Sequence, residues 1–243
     1  MTETAAPQRS TPAPPKKRRT LRSRAKWAFY QCVRVAVQVL GYFIIGLRIK
    51  GKENVPRTGP VLLVSNHLHN WDMIVIGAAV PRPVFFMGKR ELFEHRFFGW
   101  FISTMGAFPV NRQAVDRAAL RHTGLLLDEG LVVGILPEGT RSLSRQLSAG
   151  NPGVALVAYQ RNAPILPVAI TGTQHLPFDA NATGERWFGR RTTVTIGKPF
   201  TLPPREAGKR PDLTGATDQI MRAIADLLPP DYRGAYGDTP KEQ

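Results

Sequence analysis

A buried strand, a polar turn and a helix follow one another in residues 60–80, PVLLVSNHLHNWDMIVIGAAV. The run Pro60–Ser65 is apolar and has the length of a strand, and Pro and Gly turn signals precede it. The segment Asp72–Val80 is apolar and long enough for a short helix. A strand that leads directly into a helix is the repeating unit of α/β domains.

The same alternation continues on both sides of this stretch. Further strands are predicted at Leu47–Lys50, Val84–Met87, Ala107–Val110, Leu131–Leu136, Ile165–Ile170 and Thr192–Ile196. Further helices are predicted at Lys89–Ile102, Ala114–Glu129, Val154–Gln160 and Asp212–Leu228. The pattern predicts a single α/β domain at 47–230, with a mixed, largely parallel sheet flanked by helices, and a polar tail at 231–243.

The overall composition limits the classes of protein to consider. Of the 243 residues, 42% are hydrophobic and 21% are charged, which excludes wholesale disorder and suits one sizeable domain. Lys and Arg outnumber Asp and Glu by 33 to 18, so an anionic partner such as a membrane, a nucleic acid or a phosphorylated substrate is expected. Cys32 is the one cysteine in the sequence, which excludes an internal disulfide and a zinc site built from cysteines.

The positive charge is concentrated at the N-terminus. Residues 1–26 contain eight basic side chains and one acid, and residues 1–24 are predicted to be a disordered basic arm. No aromatic residues interleave the basic run and no recognition module follows, so a nucleic-acid partner is not expected. The arm suits the anionic surface of a membrane.

An apolar helix follows the arm. Residues 27–47, WAFYQCVRVAVQVLGYFIIGL, are long enough to cross a bilayer, but Gln31, Arg34 and Gln38 form one narrow polar stripe. This amphipathic pattern predicts a membrane-associated helix at 25–46 that lies in one leaflet. A true membrane span and a helix packed on the domain remain as alternatives.

The first chemically active pair is His67 and Asp72. On one continuous helix, five residues would separate the two side chains by about 140°. They converge if His67 lies in the strand-to-helix turn, Asn70 caps the helix and Asp72 lies in its first turn. The carboxylate then accepts from one imidazole nitrogen, and the other nitrogen faces a cleft as a general base. A structural histidine that caps the turn is the alternative.

A zinc site is a further alternative at this turn. His67 and His69 resemble the His-x-His opening of zinc hydrolases, and His175 is available as a third ligand. The Asp-His pair that should follow is replaced by Trp71 and Asp72, and no further acid–histidine cluster appears downstream. No metal site is therefore predicted.

Two more polar clusters follow predicted strands. Residues 106–112, GAFPVNR, place Arg112 after a short strand, and residues 136–142, LPEGTRS, place Glu138, Thr140 and Arg141 at the carboxyl edge of a buried strand. Two arginines aimed at one cleft suit a phosphate ester. The alternative for the second cluster is a surface turn closed by an ion pair between Glu138 and Arg141.

The order and spacing of these blocks resemble the bacterial 1-acylglycerol-3-phosphate acyltransferases, also called lysophosphatidic acid acyltransferases, within the wider glycerolipid acyltransferases. The resemblance runs from about Lys50 to Phe200. Its NHxxxxD block is Asn66-His67 through Asp72, and its second and third blocks are 106–112 and 136–142. The fourth block, an apolar strand with a central proline, is Ile165–Ile170.

The resemblance implies acyl transfer from the thioester of acyl-CoA or acyl carrier protein to the free hydroxyl of a lysophospholipid, with no resident cofactor. It implies that His67 is the general base, that Asp72 orients it, and that the hydroxyl attacks the thioester directly. The residues that it implies for acceptor binding are Arg112, Glu138, Gly139, Thr140, Arg141 and Lys89. Another lysolipid or glycerol-3-phosphate is an alternative acceptor, and a non-catalytic lipid-binding protein is the alternative from another class.

One departure from the family pattern lies beside the catalytic histidine. The family commonly has serine two residues after the catalytic histidine, where this chain has His69. We expect its imidazole to compete with His67 for Asp72 or, when protonated, to weaken His67 as a base, either of which could alter acceptor choice or be tolerated.

Topology adds an expectation about location. A basic arm stays on the cytoplasmic side of a membrane, so a single crossing by 27–47 would put the domain on the other side, away from acyl-CoA. The expected arrangement is a monotopic enzyme on the cytoplasmic face of the cell membrane.

Overall fold

The computed structural model describes residues 21–110, 116–176, 191–204 and 209–237, which fold around a seven-stranded sheet with helices on both faces. The strands are β1 (Arg48–Lys50), β2 (Val61–Ser65), β3 (Val84–Lys89), β4 (Phe108–Val110), β5 (Val132–Ile135), β6 (Ile165–Thr171) and β7 (Thr193–Ile196). The helices are α1 (Leu21–Ile45), α2 (Asp72–Ala79), α3 (Arg96–Thr104), α4 (Arg117–Asp128), α5 (Gly153–Arg161) and α6 (Leu213–Ala225).

Strand order in the sheet is β1-β7-β6-β2-β5-β3-β4. Every pairing is parallel except that of β6 with β7. This confirms the expected α/β fold with a mixed, largely parallel sheet. The central strand β2 lies between β5 and β6, and all three run in the same direction. Their carboxyl ends therefore meet at one edge of the sheet, which is where α/β proteins place their sites.

The core lies on both faces of β2. Leu62 and Val64 pack into a cluster with α4, α5 and α6, while Val61 and Leu63 pack into a second cluster with α2. All four side chains are fully buried. Burial of each such side chain stabilises the fold by about 1.5–3 kcal/mol, so the central strand is a rigid base for the turn that follows it.

The prediction of one helix over Lys89–Ile102 is wrong for the first half of that range and is confirmed from Arg96 onward. Lys89 ends β3, residues Arg90–Phe93 form a 3-10 turn, and α3 begins at Arg96. His95 is in the extended conformation between the two, and the turn folds back onto α3. A side chain at Gly99 would come within 2.6 Å of the Phe93 carbonyl oxygen, so this close approach requires glycine.

Helix α4 begins later than the predicted Ala114–Glu129. Asp116 caps it, because its side chain accepts the backbone N–H groups of Ala118 and Ala119. Positions 114 and 115 lie outside the described residues. Helix α6 is capped in the same way by Asp212, which accepts the N–H of Gly215 at 2.9 Å.

Helix α1 lies against α2 through Tyr30 and through Gln38, one member of the predicted polar stripe. The Tyr30 hydroxyl donates to the Gly77 carbonyl at 3.3 Å, and Gln38 Nε2 donates to the Ala78 carbonyl at 2.5 Å. Both acceptors are in the last turn of α2, where carbonyl groups lack partners within the helix. The helix also begins at Leu21, inside the segment 1–24 that was predicted to be disordered.

The other side of α1 is apolar and faces outward. Its exposed side chains include Val39, Leu40, Tyr42 and Phe43, the last of them 74% exposed. By length and composition, Trp27–Ile45 could cross a membrane. The helix is thus packed on the domain, as one alternative had it, and still presents an apolar surface that suits a bilayer.

The described start of the predicted polar tail packs on the domain. Pro230–Tyr232 and Gly234–Tyr236 are 3-10 turns. The Tyr232 carbonyl accepts the N–H of Leu147 at 2.8 Å, and its hydroxyl accepts from Gln174 Nε2 at 2.6 Å. Residues 238–243 lie outside the described residues.

Candidate active site

His67 and Asp72 meet at the carboxyl end of β2. His67 lies two residues after the strand ends, and Asp72 is the first residue of α2. His67 Nδ1 is 2.9 Å from Asp72 Oδ2, and the two residues are 2% and 0% exposed. The contact expected from the five-residue spacing is therefore present. Within the described residues, no hydrogen bond engages the other ring nitrogen, Nε2.

The turn between the two residues wraps around the carboxylate. Asp72 Oδ2 also accepts the backbone N–H groups of Leu68 at 2.6 Å and His69 at 2.7 Å. Asn70 was expected to cap α2, but the cap position is Trp71 and no side chain caps it. The Asp72 side chain instead organises the turn that precedes its own helix.

Thr173 binds the other oxygen of the same carboxylate. Its hydroxyl donates to Asp72 Oδ1 at 2.6 Å, and the residue is fully buried. Thr173 follows the end of β6, the neighbour of β2 in the sheet. Four donors thus surround the Asp72 carboxylate, which fixes its plane and its position relative to the imidazole.

Glu138 holds the His67 peptide from the other side. Its Oε1 accepts the backbone N–H of His67 at 2.9 Å, and its Oε2 accepts the N–H and the hydroxyl of Ser148 at 3.0 and 2.8 Å. The His67 carbonyl in turn accepts the N–H of Ser142 at 2.8 Å. Glu138 follows β5, which is parallel to β2, so the two blocks meet because their strands end at the same edge.

The acceptor-binding role expected for Glu138 stays a prediction, and the structure adds partners within the protein. The resemblance implied that Glu138 binds the acceptor, and the alternative was a surface turn. The structure gives both carboxylate oxygens partners within the protein, and the residue is 7% exposed. Desolvation by burial raises the pKa of Glu138, against the lowering effect of its hydrogen bonds to Ser148 and His67.

Asn66 fixes the end of β2 to β6. Its Nδ2 donates to the Ile170 carbonyl at 2.9 Å, and its Oδ1 accepts the Ile170 N–H at 2.8 Å. This pair of bonds replaces two ladder bonds at the point where the main chain turns away from the sheet. Asn66 thereby sets the position from which His67 starts.

A cavity of about 600 Å³ lies beside the turn, between α1, α2, α3 and strand β3. Three basic side chains, Arg34, Lys89 and Arg141, line it, together with Asn70 and Thr140. Most of its walls are apolar side chains: Val33, Val37, Met73, Ile74, Val84, Phe86, Leu92, Phe101, Ile102 and Met105. Such a cavity can take a long hydrocarbon chain and an anionic group at once.

The remaining predicted site residues are placed as follows. Lys89 ends β3, is about half exposed and is 3.4 Å from Glu91 Oε1. Gly139 is exposed and has φ +71°, a left-handed conformation that favours glycine in the turn after β5. Arg112 lies outside the described residues, two positions after the end of β4.

His69 takes a different position from His67. Its backbone N–H, rather than its ring, donates to Asp72 at 2.7 Å, and its ring Nδ1 accepts the N–H of Trp71 at 3.2 Å. Among the described residues there is no group of three or more His, Cys, Asp and Glu side chains that could hold a metal ion.

Sequence reasoning missed Thr173 and Ser148. Neither belongs to a block singled out in the sequence. Ser148 follows Glu138 by ten residues, and Thr173 follows Asp72 by 101 residues. Thr173 could be found only from its position just after a strand that neighbours β2.

Comparison with known proteins identifies the family of the chain. The family model for acyltransferases matches residues 46–171. The 1-acyl-sn-glycerol-3-phosphate acyltransferase of Bacillus subtilis is 32% identical over 190 residues, which cover 75% of this chain and 88% of the relative. The protein of the same name from Streptococcus pneumoniae is 31% identical over 157 residues, 61% of this chain and 56% of its own length.

A solved structure has the same fold. The crystal structure of the 1-acyl-sn-glycerophosphate acyltransferase PlsC from Thermotoga maritima matches with a TM-score of 0.66 and 22% identity, over 85% of this chain and 82% of that one. The chain belongs to the acyltransferase family, and the relatives named above are 1-acyl-sn-glycerol-3-phosphate acyltransferases. It is therefore an enzyme of the O-acyltransferase type.

Proposed function

We propose that the protein transfers a fatty acyl group from the thioester of acyl-CoA or acyl carrier protein to the free hydroxyl of 1-acylglycerol-3-phosphate. The observation that carries this proposal is the buried His67–Asp72 pair, whose turn contributes Asn70 and Trp71 to the lining of a cavity that is both apolar and basic. The names of the relatives support the acceptor. The reaction needs no resident cofactor, because the thioester already carries the activated acyl group.

His67 Nε2 removes the proton from the acceptor hydroxyl while the hydroxyl oxygen bonds to the thioester carbonyl carbon. Asp72, on Nδ1, keeps the imidazole in the tautomer that can accept at Nε2 and stabilises the imidazolium that forms. The tetrahedral intermediate then collapses, the carbon–sulfur bond breaks, and the imidazolium returns its proton to the leaving thiolate. The products are the ester and the free thiol.

The rest of the site binds the acceptor and the acyl chain. Arg141 and Lys89 attract the phosphate of the acceptor, and Arg112 adds a second guanidinium. Thr140 and Gly139 contribute to acceptor binding from the turn that carries Arg141. Glu138 supports the site indirectly, because its carboxylate holds the backbone of His67. The apolar walls of the cavity take the acyl chain.

Thiol release tests the proposal. Purified enzyme is mixed with acyl-CoA and lysophosphatidic acid, and the free thiol is followed with a chromogenic reagent while the lipid product is identified by mass spectrometry. We expect His67→Ala to lower kcat by about a hundredfold to ten-thousandfold, since it removes the general base. Acceptor binding without thiol release by the wild type would instead identify a non-catalytic lipid-binding protein. A panel with glycerol-3-phosphate and other lysolipids identifies the preferred acceptor.

We further propose that the enzyme is monotopic on the cytoplasmic face of the cell membrane. The apolar outer side of α1 and the basic arm before it support this arrangement. In right-side-out vesicles the domain should be protected from external protease. Complete digestion there would overturn the orientation.

A further inference from the structure

The charged side chains that line the cavity are all basic among the described residues. Among the described lining residues, Arg34, Lys89 and Arg141 are basic and none is Asp or Glu. Most of the lining is apolar, so the field of these cations is weakly screened there. The cavity therefore favours an anionic ligand. Two of the three cations belong to segments that were expected to bind substrate, and the third, Arg34, belongs to helix α1.

Helix α1 is held in a fixed position on either side of Arg34. Tyr30 and Gln38 are four residues before and four residues after it, which places all three on one face of the helix. Tyr30 and Gln38 bond to the carbonyls of Gly77 and Ala78 in α2. Arg34, between these two contacts, lines the cavity instead of bonding to α2. Its position is thus set by the same contacts that dock the helix.

The guanidinium of Arg34 is oriented but not neutralised. Its Nε donates to Gln31 Oε1 at 2.7 Å, which holds the planar group by one edge. In the described part of the chain this is its one hydrogen bond, and no carboxylate there pairs with it. Its two terminal nitrogens keep their donors for a ligand with several acceptor oxygens.

An unpaired cation at the location of Arg34 is energetically costly. It is half-buried on a helix whose outer side is apolar, with Val35 and Val39 47% and 50% exposed. A cation on a membrane-facing helix needs a partner, and such residues mark substrate sites when they face a cavity. The described lining offers no acid as this partner, whereas an anionic substrate can supply one.

We propose that Arg34 binds the phosphate monoester of the lysolipid acceptor, so that helix α1 completes the substrate site in addition to contacting the membrane. This inference rests on the proposed function. The phosphate monoester carries close to two negative charges and three acceptor oxygens, which match the terminal nitrogens of a guanidinium. The phosphodiester of a bilayer headgroup also pairs with a guanidinium, so the experiment has to separate the two sources.

The kinetic arm uses full-length enzyme and the variants Arg34→Gln, Arg34→Lys and Gln31→Ala. For Arg34→Gln we expect the KM for lysophosphatidic acid to rise about ten- to a hundredfold, with kcat and the KM for acyl-CoA within about twofold of wild type. Arg34→Lys should recover part of the loss, since it restores the charge without the planar fork. Gln31→Ala should raise the same KM by a smaller factor, about threefold.

The matched control is Arg48→Gln. Arg48 is exposed on the edge strand β1 and does not line the cavity, so the substitution removes the same charge from the protein and should leave both KM values unchanged. Equal effects of Arg34→Gln and Arg48→Gln would mean that the net charge of the protein matters and would overturn the inference. A loss of kcat in Arg34→Gln with both KM values unchanged would also overturn the inference.

The membrane arm measures co-sedimentation with vesicles of phosphatidylcholine and phosphatidylglycerol. We expect Arg34→Gln to bind these vesicles as well as wild type does. A loss of vesicle binding that matches the loss of activity would assign Arg34 to bilayer headgroups instead. If wild type releases no thiol with lysophosphatidic acid, the proposed function fails and this inference fails with it. If wild type is active and Arg34→Gln has the wild-type KM, this inference alone fails.

Discussion

Replacing Asp72 with Asn isolates the charge of the carboxylate from its shape. Asp72 is fully buried and accepts from His67, Leu68 and His69 through Oδ2 and from Thr173 through Oδ1. In the variant, the amide oxygen can take the Oδ2 position and accept the same three N–H groups. The amide nitrogen then faces Thr173, whose hydroxyl can rotate to accept instead of donate. The turn therefore keeps its hydrogen bonds.

The lost charge acts on the imidazolium that forms during the reaction. With an effective dielectric constant of about 20, two unit charges about 4 Å apart attract each other by about 4 kcal/mol. Since about 1.4 kcal/mol corresponds to a tenfold change in rate, kcat should fall about a thousandfold. The free energy of unfolding should change by about 1–3 kcal/mol at most, because weaker neutral hydrogen bonds are offset by the removal of a buried charge.

Thiol-release kinetics at saturating acyl-CoA and lysophosphatidic acid measure kcat, and chemical denaturation measures the free energy of unfolding. The His67→Ala variant gives the background rate of the assay. If Asp72→Asn keeps more than a tenth of the wild-type kcat, the carboxylate does not stabilise a charged imidazole, and the proposed mechanism is refuted.

Three further outcomes follow from single contacts. Thr173→Val, which removes one hydrogen bond to the catalytic carboxylate, should lower kcat about tenfold at unchanged KM, and Thr173→Ser should restore it; equal kinetics for both variants would refute a positioning role. Because burial raises the pKa of Glu138 above 4.5, the native state holds this proton to higher pH than the unfolded chain does; its contribution to stability is full below about pH 4.5 and is lost as the pH rises through the native pKa. We therefore expect that, from pH 4 to 8, the free energy of unfolding of wild type minus that of Glu138→Gln falls as the pH rises. A difference that rises with pH would contradict the raised pKa. Gly134→Ala would overlap the Phe86 ring and should cost about 1–3 kcal/mol of unfolding free energy, whereas Gly77→Ala, with 3.9 Å of clearance in a helix, should not destabilise; equal stabilities would contradict the packing.

The local part of the site could be predicted from the sequence. His67 and Asp72 are five residues apart at a strand-to-helix turn, so their contact depends on the geometry of one turn. The contact between Glu138 and the His67 backbone could not be found in this way, because it depends on β5 lying beside β2. Thr173 reaches the same carboxylate because β6 is the other neighbour of β2. Strand order therefore supplies what spacing alone lacks.

The polar stripe of α1 illustrates a second limit. Helical periodicity groups Gln31, Arg34 and Gln38 on one face, but it does not say what that face contacts. The sequence favoured a helix lying in one leaflet, while in the structure Gln38 bonds to α2 and Arg34 lines the cavity. Carbonyl groups at the end of α2 need donors, and a polar face on the neighbouring helix supplies them.

The orientation of α1 connects the membrane to the chemistry. Its outward side is apolar, and Phe29 on that helix lies 6.1 Å from the ring of Trp100 on α3, so the apolar surface continues across both helices. Its inward side carries Arg34 into the cavity. A helix with its side chains is about 10 Å across, so we infer that a lysolipid has to move its phosphate by about that distance from the bilayer to the guanidinium. Its acyl chain can stay in contact with apolar side chains throughout, because they cover both the outer surface and the cavity walls. In the proposed membrane arrangement, lateral entry of the acceptor would expose less hydrocarbon to water than entry from solution.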